Sequence, residues 1–148
     1  MIPRRPVTAA LAALLASATA LPVGRGRMPD ANPPYYLLYP LDTGLDGPPL
    51  ADTHDDITLV YQVTSVSGPD PTRPGSAGTL DQAELLADKA RAAILGRDPA
   101  SGEWSHPLTI PGAKVMCREL DVEPGGTTDP TDGIISYVQR FRLALTPA

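Results

Sequence analysis

The chain has 148 residues and a mass of 15.5 kDa, the size of one ordinary domain, with a formal net charge of −5 at pH 7. Its 12 basic against 17 acidic residues argue against a nucleic-acid reader that neutralises phosphates with a basic face. A single cysteine excludes an internal disulfide framework or a cysteine zinc cluster, and two histidines leave little for a His-rich metal site.

Residues 1–24 fit two readings. Arg4 and Arg5, an Ala/Leu-rich stretch and Ala18-Thr19-Ala20 imitate a secretory signal peptide with its cleavage site. The stretch Val7–Val23 is too short and too alanine-rich for a transmembrane span. Against the signal reading, Val7, Leu11, Leu14, Leu15, Ala18 and Leu21 recur at helical spacing, with Thr8, Ala12, Ala16 and Thr19 on the other side. A signal core is greasy all round, so the one-sided stripe favours a structural helix that Pro22 and Gly24 terminate.

Gly24–Pro34 reads as a basic Pro/Gly-rich linker, and Tyr35–Tyr39 as a short aromatic strand held to an edge by the flanking prolines. Asp42–Asp56 is a polar loop. In Ile57–Val66 the alternation of Ile57, Leu59, Tyr61 and Val63 with Thr58, Gln62 and Thr64 predicts the clearest strand. Ser67–Gly78 is too polar for core. Thr79–Leu95 predicts a helix opened by a Thr79/Gln82 capping box and closed by Gly96, with Leu80, Ala83, Leu86, Ala87, Ala90 and Ile94 as its buried stripe. Lys114–Val122 and Ile134–Leu145 are the last strands, with Glu123–Gly133 between them; Ile135, Tyr137, Phe141, Leu143 and Leu145 share one face. The expectation is a single α+β domain over 1–148. It has a small, mainly antiparallel sheet packed by two helices in the order α-β-β-α-β-β, with flexible loops at 42–56, 67–78 and 123–133.

Candidate chemistry is sparse. Asp52-Thr53-His54-Asp55-Asp56 offers oxygen ligands for a hard cation, yet it lacks the glycine turn and ligand spacing of a calcium loop and reads more simply as solvated. Cys117 with His54 or His106 has the residue types of a nucleophile and its base, but a cysteine beside Val115 and Met116 in a strand is ordinarily a small buried hydrophobe. Gly24-Arg25-Gly26 and Gly125-Gly126 lack the strand–loop–helix context of phosphate-binding motifs. Arg4, Arg5, Arg25 and Arg27 form a local basic patch that suits a polyanion, an acidic partner surface, or plain solvation. These residues predict no catalysis, cofactor or metal.

The blocks Pro34-Tyr35-Tyr36-Leu37-Leu38-Tyr39-Pro40-Leu41, Gly47-Pro48-Pro49-Leu50-Ala51-Asp52, Tyr61-Gln62-Val63-Thr64-Ser65-Val66 and Gln82-Ala83-Glu84-Leu85-Leu86-Ala87-Asp88-Lys89-Ala90-Arg91 follow one another in that order. In order and spacing together they resemble the tail terminator proteins, a class of minor tail protein, of long-tailed phages of actinobacteria. The resemblance implies a ring, usually of six subunits, that caps the head-proximal end of the tail tube, ends tube polymerisation and offers the head-joining surface. It implies as partners the chain itself, the tail tube protein and a head–tail connector protein. DNA passes through such a ring without stable binding, and no membrane is involved. The protein would belong to the virion and be assembled in the host cytoplasm, where a cleaved signal is unexpected. Asp52, Asp55 and Asp56, with Tyr35, Tyr36 and Tyr39, are the expected partner-binding residues, and the sheet's free edge or the first helix is expected to meet the neighbouring subunit. Two other classes fit the same sequence: a head–tail connector or completion protein, and a secreted binding module whose signal has been removed.

Overall fold

In the computed structural model, which describes residues 2–45, 55–129 and 132–148, both helices lie on one face of a single sheet. The elements are α1 (Arg4–Thr19), β1 (Val23–Arg25), β2 (Tyr35–Leu45), β3 (Ile57–Ser67), α2 (Leu80–Leu95), β4 (Ala113–Asp129) and β5 (Ile134–Pro147). The sheet has five strands in the order β1-β2-β3-β5-β4. Pairings β2/β3, β3/β5 and β5/β4 are antiparallel, whereas β1 joins β2 in parallel. The α+β class agrees with the sequence reading. The sheet itself is mixed rather than mainly antiparallel, and the element order gains a strand.

That extra strand lies in the stretch read as a linker. Val23-Gly24-Arg25 is too short to carry a period, so only its pairing defines it. Tyr36 N donates to Pro22 O at 2.9 Å and Gly26 N to Leu38 O at 2.9 Å, which zips β1 onto β2. The aromatic strand is therefore interior, not an edge. Its prolines do not prevent this: β1 pairs with Tyr36–Leu38 only, and Pro40 lies beyond, just before a register shift between Pro40 and Thr43.

Alternation decides the core. Leu59, Tyr61 and Val63 of β3 face the helices with Phe141, Leu143 and Leu145 of β5 and Tyr36 and Leu38 of β2, all at 0% exposure. Val7, Leu11 and Leu15 of α1 and Leu86, Ala90 and Ile94 of α2 close over them. Alanines at 83, 87, 90 and 93 let α2 lie low on the sheet. Leu80, expected in the stripe, is half exposed: as the first residue of α2 it reaches past the sheet's core to Gly126, where an added Cβ would come within 3.0 Å of its Cδ1. Thr8 and Ala12, expected on the outer side of α1, are buried. The Thr8 hydroxyl lies 2.8 Å from the Tyr61 hydroxyl, which explains how a polar residue is accommodated there.

Helix ends depart from expectation in detail. Thr79 Oγ1 accepts from Gln82 N at 3.1 Å, the first half of a capping box. The second half is replaced: Thr79 N donates to Ser67 Oγ at 3.0 Å, and Ser67 Oγ donates to Gln82 Oε1 at 2.6 Å. The end of β3 thus caps α2. Helix α1 stops at Ala20, which is left-handed with φ 58, two residues before the expected Pro22.

Two of the three expected loops are partly strand. Residues 42–45 continue β2, and 123–129 continue β4 opposite Ile134–Val138 of β5. Proline and glycine in Glu123–Gly126 suggest a loop, but register shifts at Leu120/Val122 and Val122/Gly125 absorb them as bulges. Of the third expected loop, residues 68–78 lie outside the elements as expected, while Ser67 ends β3. Asp70 Oδ1 organises that loop, accepting from Thr72 N at 2.9 Å and Thr72 Oγ1 at 2.7 Å. Gly78 N donates to Gly133 O at 2.7 Å, an approach in which a Cβ on Gly78 would lie 2.4 Å from Ser67 O.

Two measurements test this packing. Leu86→Ala should lower stability by about 2–5 kcal/mol, read as a fall in melting temperature; an unchanged melt would place the wrong face of α2 against the sheet. The Tyr36 hydroxyl donates to Leu86 O at 2.7 Å, and burial pushes its pKa up to about 12. The folded chain therefore keeps this proton where the unfolded chain loses it. The resulting stability is complete below pH 10 and is lost as pH rises toward 12. Tyr36→Phe should flatten that alkaline decline while costing about 1 kcal/mol at neutral pH for the lost hydrogen bond.

Candidate functional site

The sequence-predicted partner residues do not converge on one surface. Asp52, like His54, lies outside the described residues. Asp55 and Asp56 are half-buried and immediately precede β3, at the sheet end where Ile57 stands between Leu45 and Leu145. Asp55 Oδ1 is buried and meets no donor among the described residues. Tyr35 is 4% exposed and Tyr36 is fully buried, so neither offers surface to a partner, contrary to expectation. Their strand is flanked by β1 and β3, and side chains on both of its faces are enclosed. Tyr39, half-buried opposite Gln62, is the tyrosine of the three with surface left.

Three of the four patch arginines, Arg4, Arg25 and Arg27, come together in space, with Asp30 beside the last two. Arg25 and Arg27 line one hollow with Thr8, Leu38 and Pro40, and α1 packs beside β1. Arg4 projects from the first turn of α1 and donates to Leu41 O at 3.3 Å, to Asp42 O at 2.9 Å and to Thr43 Oγ1. It thereby fastens α1 to the bulge in β2. Its guanidinium also lies 5.9 Å from the centroid of the Tyr61 ring. Burial raises the Tyr61 pKa, opposed by the Thr8 hydrogen bond and by the positive charges of Arg4 and Arg25. Arg5, Arg25 and Arg27 are exposed, and none of the four arginines makes an ion pair among the described residues. Two arginines in the first turn of α1 also oppose the helix dipole, and no acidic residue there relieves them.

At the opposite edge, β4 presents a carboxylate cluster. Arg142 of β5 donates to Glu119 Oε1 at 3.2 Å and to Asp121 Oδ1 at 2.5 Å. Glu123 accepts from the Tyr137 hydroxyl at 3.1 Å and from Gln139 Nε2 at 2.6 Å. Two carboxylates there meet one guanidinium, and a third meets a hydroxyl and an amide.

A third locus was not legible in the sequence. Arg118 is 5% exposed and donates from Nη1 to Ile94 O at 3.1 Å and to His106 O at 2.8 Å, while its guanidinium lies 4.7 Å from the Trp104 ring centroid. Arg97 stacks on the same ring at 4.0 Å. A positive charge at the last turn of α2 suits the helix dipole, and the two carbonyls and the ring replace part of the water that burial removes. Its Nε is buried without a partner among the described residues. Burial still depresses the Arg118 pKa. Beside it runs an open groove of about 640 Å³ whose apolar lining includes Trp104, Pro107, Leu108 and Ile110. The arrangement pins residues 96–112 onto the end of α2.

The bulge that buries Arg118 also exposes Cys117. Val115 pairs with Leu145, but Cys117 pairs with Ala144 and Arg118 with Leu143, so Met116 is extra and the alternation shifts by one. Cys117 is exposed instead of the small core residue expected. His106 is exposed as well, and the Arg118 contact uses its carbonyl. Among the described residues no three His, Cys, Asp or Glu side chains group as a metal site requires, and no helix is long and apolar enough to cross a membrane.

In comparison with known proteins, the chain matches no family model and no curated protein.

Trp104 is the chain's one tryptophan, so its emission reports this locus alone. Arg118→Met should shift that emission and destabilise the fold by about 1.5–3 kcal/mol through the lost charged hydrogen bonds. Unchanged emission and melting would show that Arg118 does not pin the segment.

Proposed function

We propose that this protein is a virion structural protein that caps the head-proximal end of a phage tail tube as a homo-oligomeric ring, of six subunits as the resemblance implies. The observation that carries the reading is the ordered set of four sequence blocks resembling tail terminator proteins. Three of them lie on β2, on β3 and on the middle of α2, where they include the core residues Tyr36, Leu38, Tyr61, Val63, Leu86 and Ala90. The Gly47–Asp52 block lies outside the described residues.

A terminator needs no bond-making chemistry. It must bind the tube end better than the next tube subunit does and present a different surface outward. Modest contacts repeated around a ring suffice, because each further contact in a closed assembly forms at high effective concentration. The surfaces of this chain suit such binding, since charge is spread over the end of β3, the β1 edge and the β4 edge. In this reading the partners are further copies of the chain, the tail tube protein and a connector protein. The protein works in the virion after assembly in the host cytoplasm.

Particles made without the protein should carry overlong tails lacking heads. Tails of normal length without heads would instead assign it to the connector class. Replacing Asp52, Asp55 and Asp56 with serine should lengthen tails or leave them headless if these carboxylates meet the tube or the connector; unchanged phage yield and tail length would refute that contact.

A further inference from the structure

The two ends of the sheet carry different local charges. Residues 1–29 hold Arg4, Arg5, Arg25 and Arg27 and no acid, a charge of +4; the remaining eight basic residues face seventeen acidic ones, a charge of −9. Folding gathers the basic segment at one end of the sheet, with Asp30 beside it, and spreads the acidic residues over the rest of the molecule. The positive segment builds β1, the strand at one end of the sheet order, and α1 beside it. At the other end, β4 carries Glu119 and Asp121 against Arg142, while Glu123 turns to Tyr137 and Gln139.

We infer that the β1 edge of one copy, through Arg25 and Arg27, docks on the β4 edge of the next, through Glu119 and Asp121. This deepens the ring reading and rests on it. Two copies meeting edge to like edge would set arginine against arginine or carboxylate against carboxylate, which costs both affinity and on-rate. Unlike edges attract. Such a contact is heterologous: the patch given and the patch received differ, so the association repeats head to tail and ends only when the rotation closes it into a ring. A two-fold dimer through either edge is disfavoured by the same charges.

The components are available for the contact. Arg25 and Arg27 are exposed and in no ion pair among the described residues. Glu119 and Asp121 share one guanidinium, which leaves negative charge over, and their side chains retain 49% and 25% of their exposure. Because β1 has only three residues, main-chain pairing across the joint is short and side-chain charge supplies the specificity. The contact should therefore weaken as salt rises.

The test is a charge exchange between two variants of the full chain. One carries Arg25→Glu with Arg27→Glu, the other Glu119→Lys with Asp121→Lys; melting temperatures confirm that both fold. Assembly is read by light scattering at low salt and by cross-linking on isolated tail tubes. The expected result is an assembling wild type, variants that each need at least about tenfold more protein to assemble, and recovery when the two are mixed, because every junction in an alternating ring then joins opposite charges. Variants that assemble separately as well as the wild type would overturn the edge contact and leave the ring reading standing. A wild type that stays monomeric both in solution and on tubes would overturn the ring reading, and the edge contact with it.

Discussion

The unbroken register between β3 and β5 fixes where everything else in the molecule lies. Residues pair one to one from Ile57 with Leu145 to Ser67 with Ile135. This places Leu59 opposite Leu143 and Tyr61 opposite Phe141 on one face, and Thr58, Gln62, Arg140 and Arg142 on the other. A slip of one residue would turn the whole apolar set outward, so hydrophobic burial locks the register. Irregularities are displaced to the flanking pairs, where β2 shifts after Pro40 and β4 shifts three times. The two helices then have one apolar platform to cover. The other face mixes buried Tyr35, Val60 and Val66 with polar and charged pairs such as Arg140 with Gln62.

What the sequence discloses follows from the same division. Ile57–Val66, Thr79–Leu95 and the end of β5 were legible because each has many side chains repeating at one period against one surface. The arginine-bearing strand β1 was not, since three residues define no period and only partners distant in sequence reveal the pairing. The strand portions of 42–45 and 123–129 were hidden by proline and glycine, residues that mark turns in most settings and bulges in a long hairpin. Leu80 was misplaced because periodicity says which way a residue points, not how far the surface beneath extends.

The candidate surfaces divide along the same line. Asp55 and Asp56 stand out in sequence as a cluster, and the fold leaves them near the surface at a strand end. Tyr35 and Tyr36 stand out as aromatics, and the fold consumes both in its own packing. Arg118 gave no signal, because its inward direction depends on the extra residue at Met116, and nothing in Val115–Glu119 marks one position as inserted. The lone Trp104 in a polar segment was the nearest hint. A large aromatic outside the periodic elements needs some partner, and here it finds two guanidinium groups.

The bulges of β4 carry a consequence for the life of the free subunit. An edge strand with evenly spaced amides and carbonyls is a template on which any extended segment can add, and such addition has no natural stopping point. Three register shifts within one strand break that even spacing, so its outer side cannot accept a long straight neighbour. At the other edge, three residues are too few to seed one. Neither outer strand therefore offers a long, evenly spaced edge.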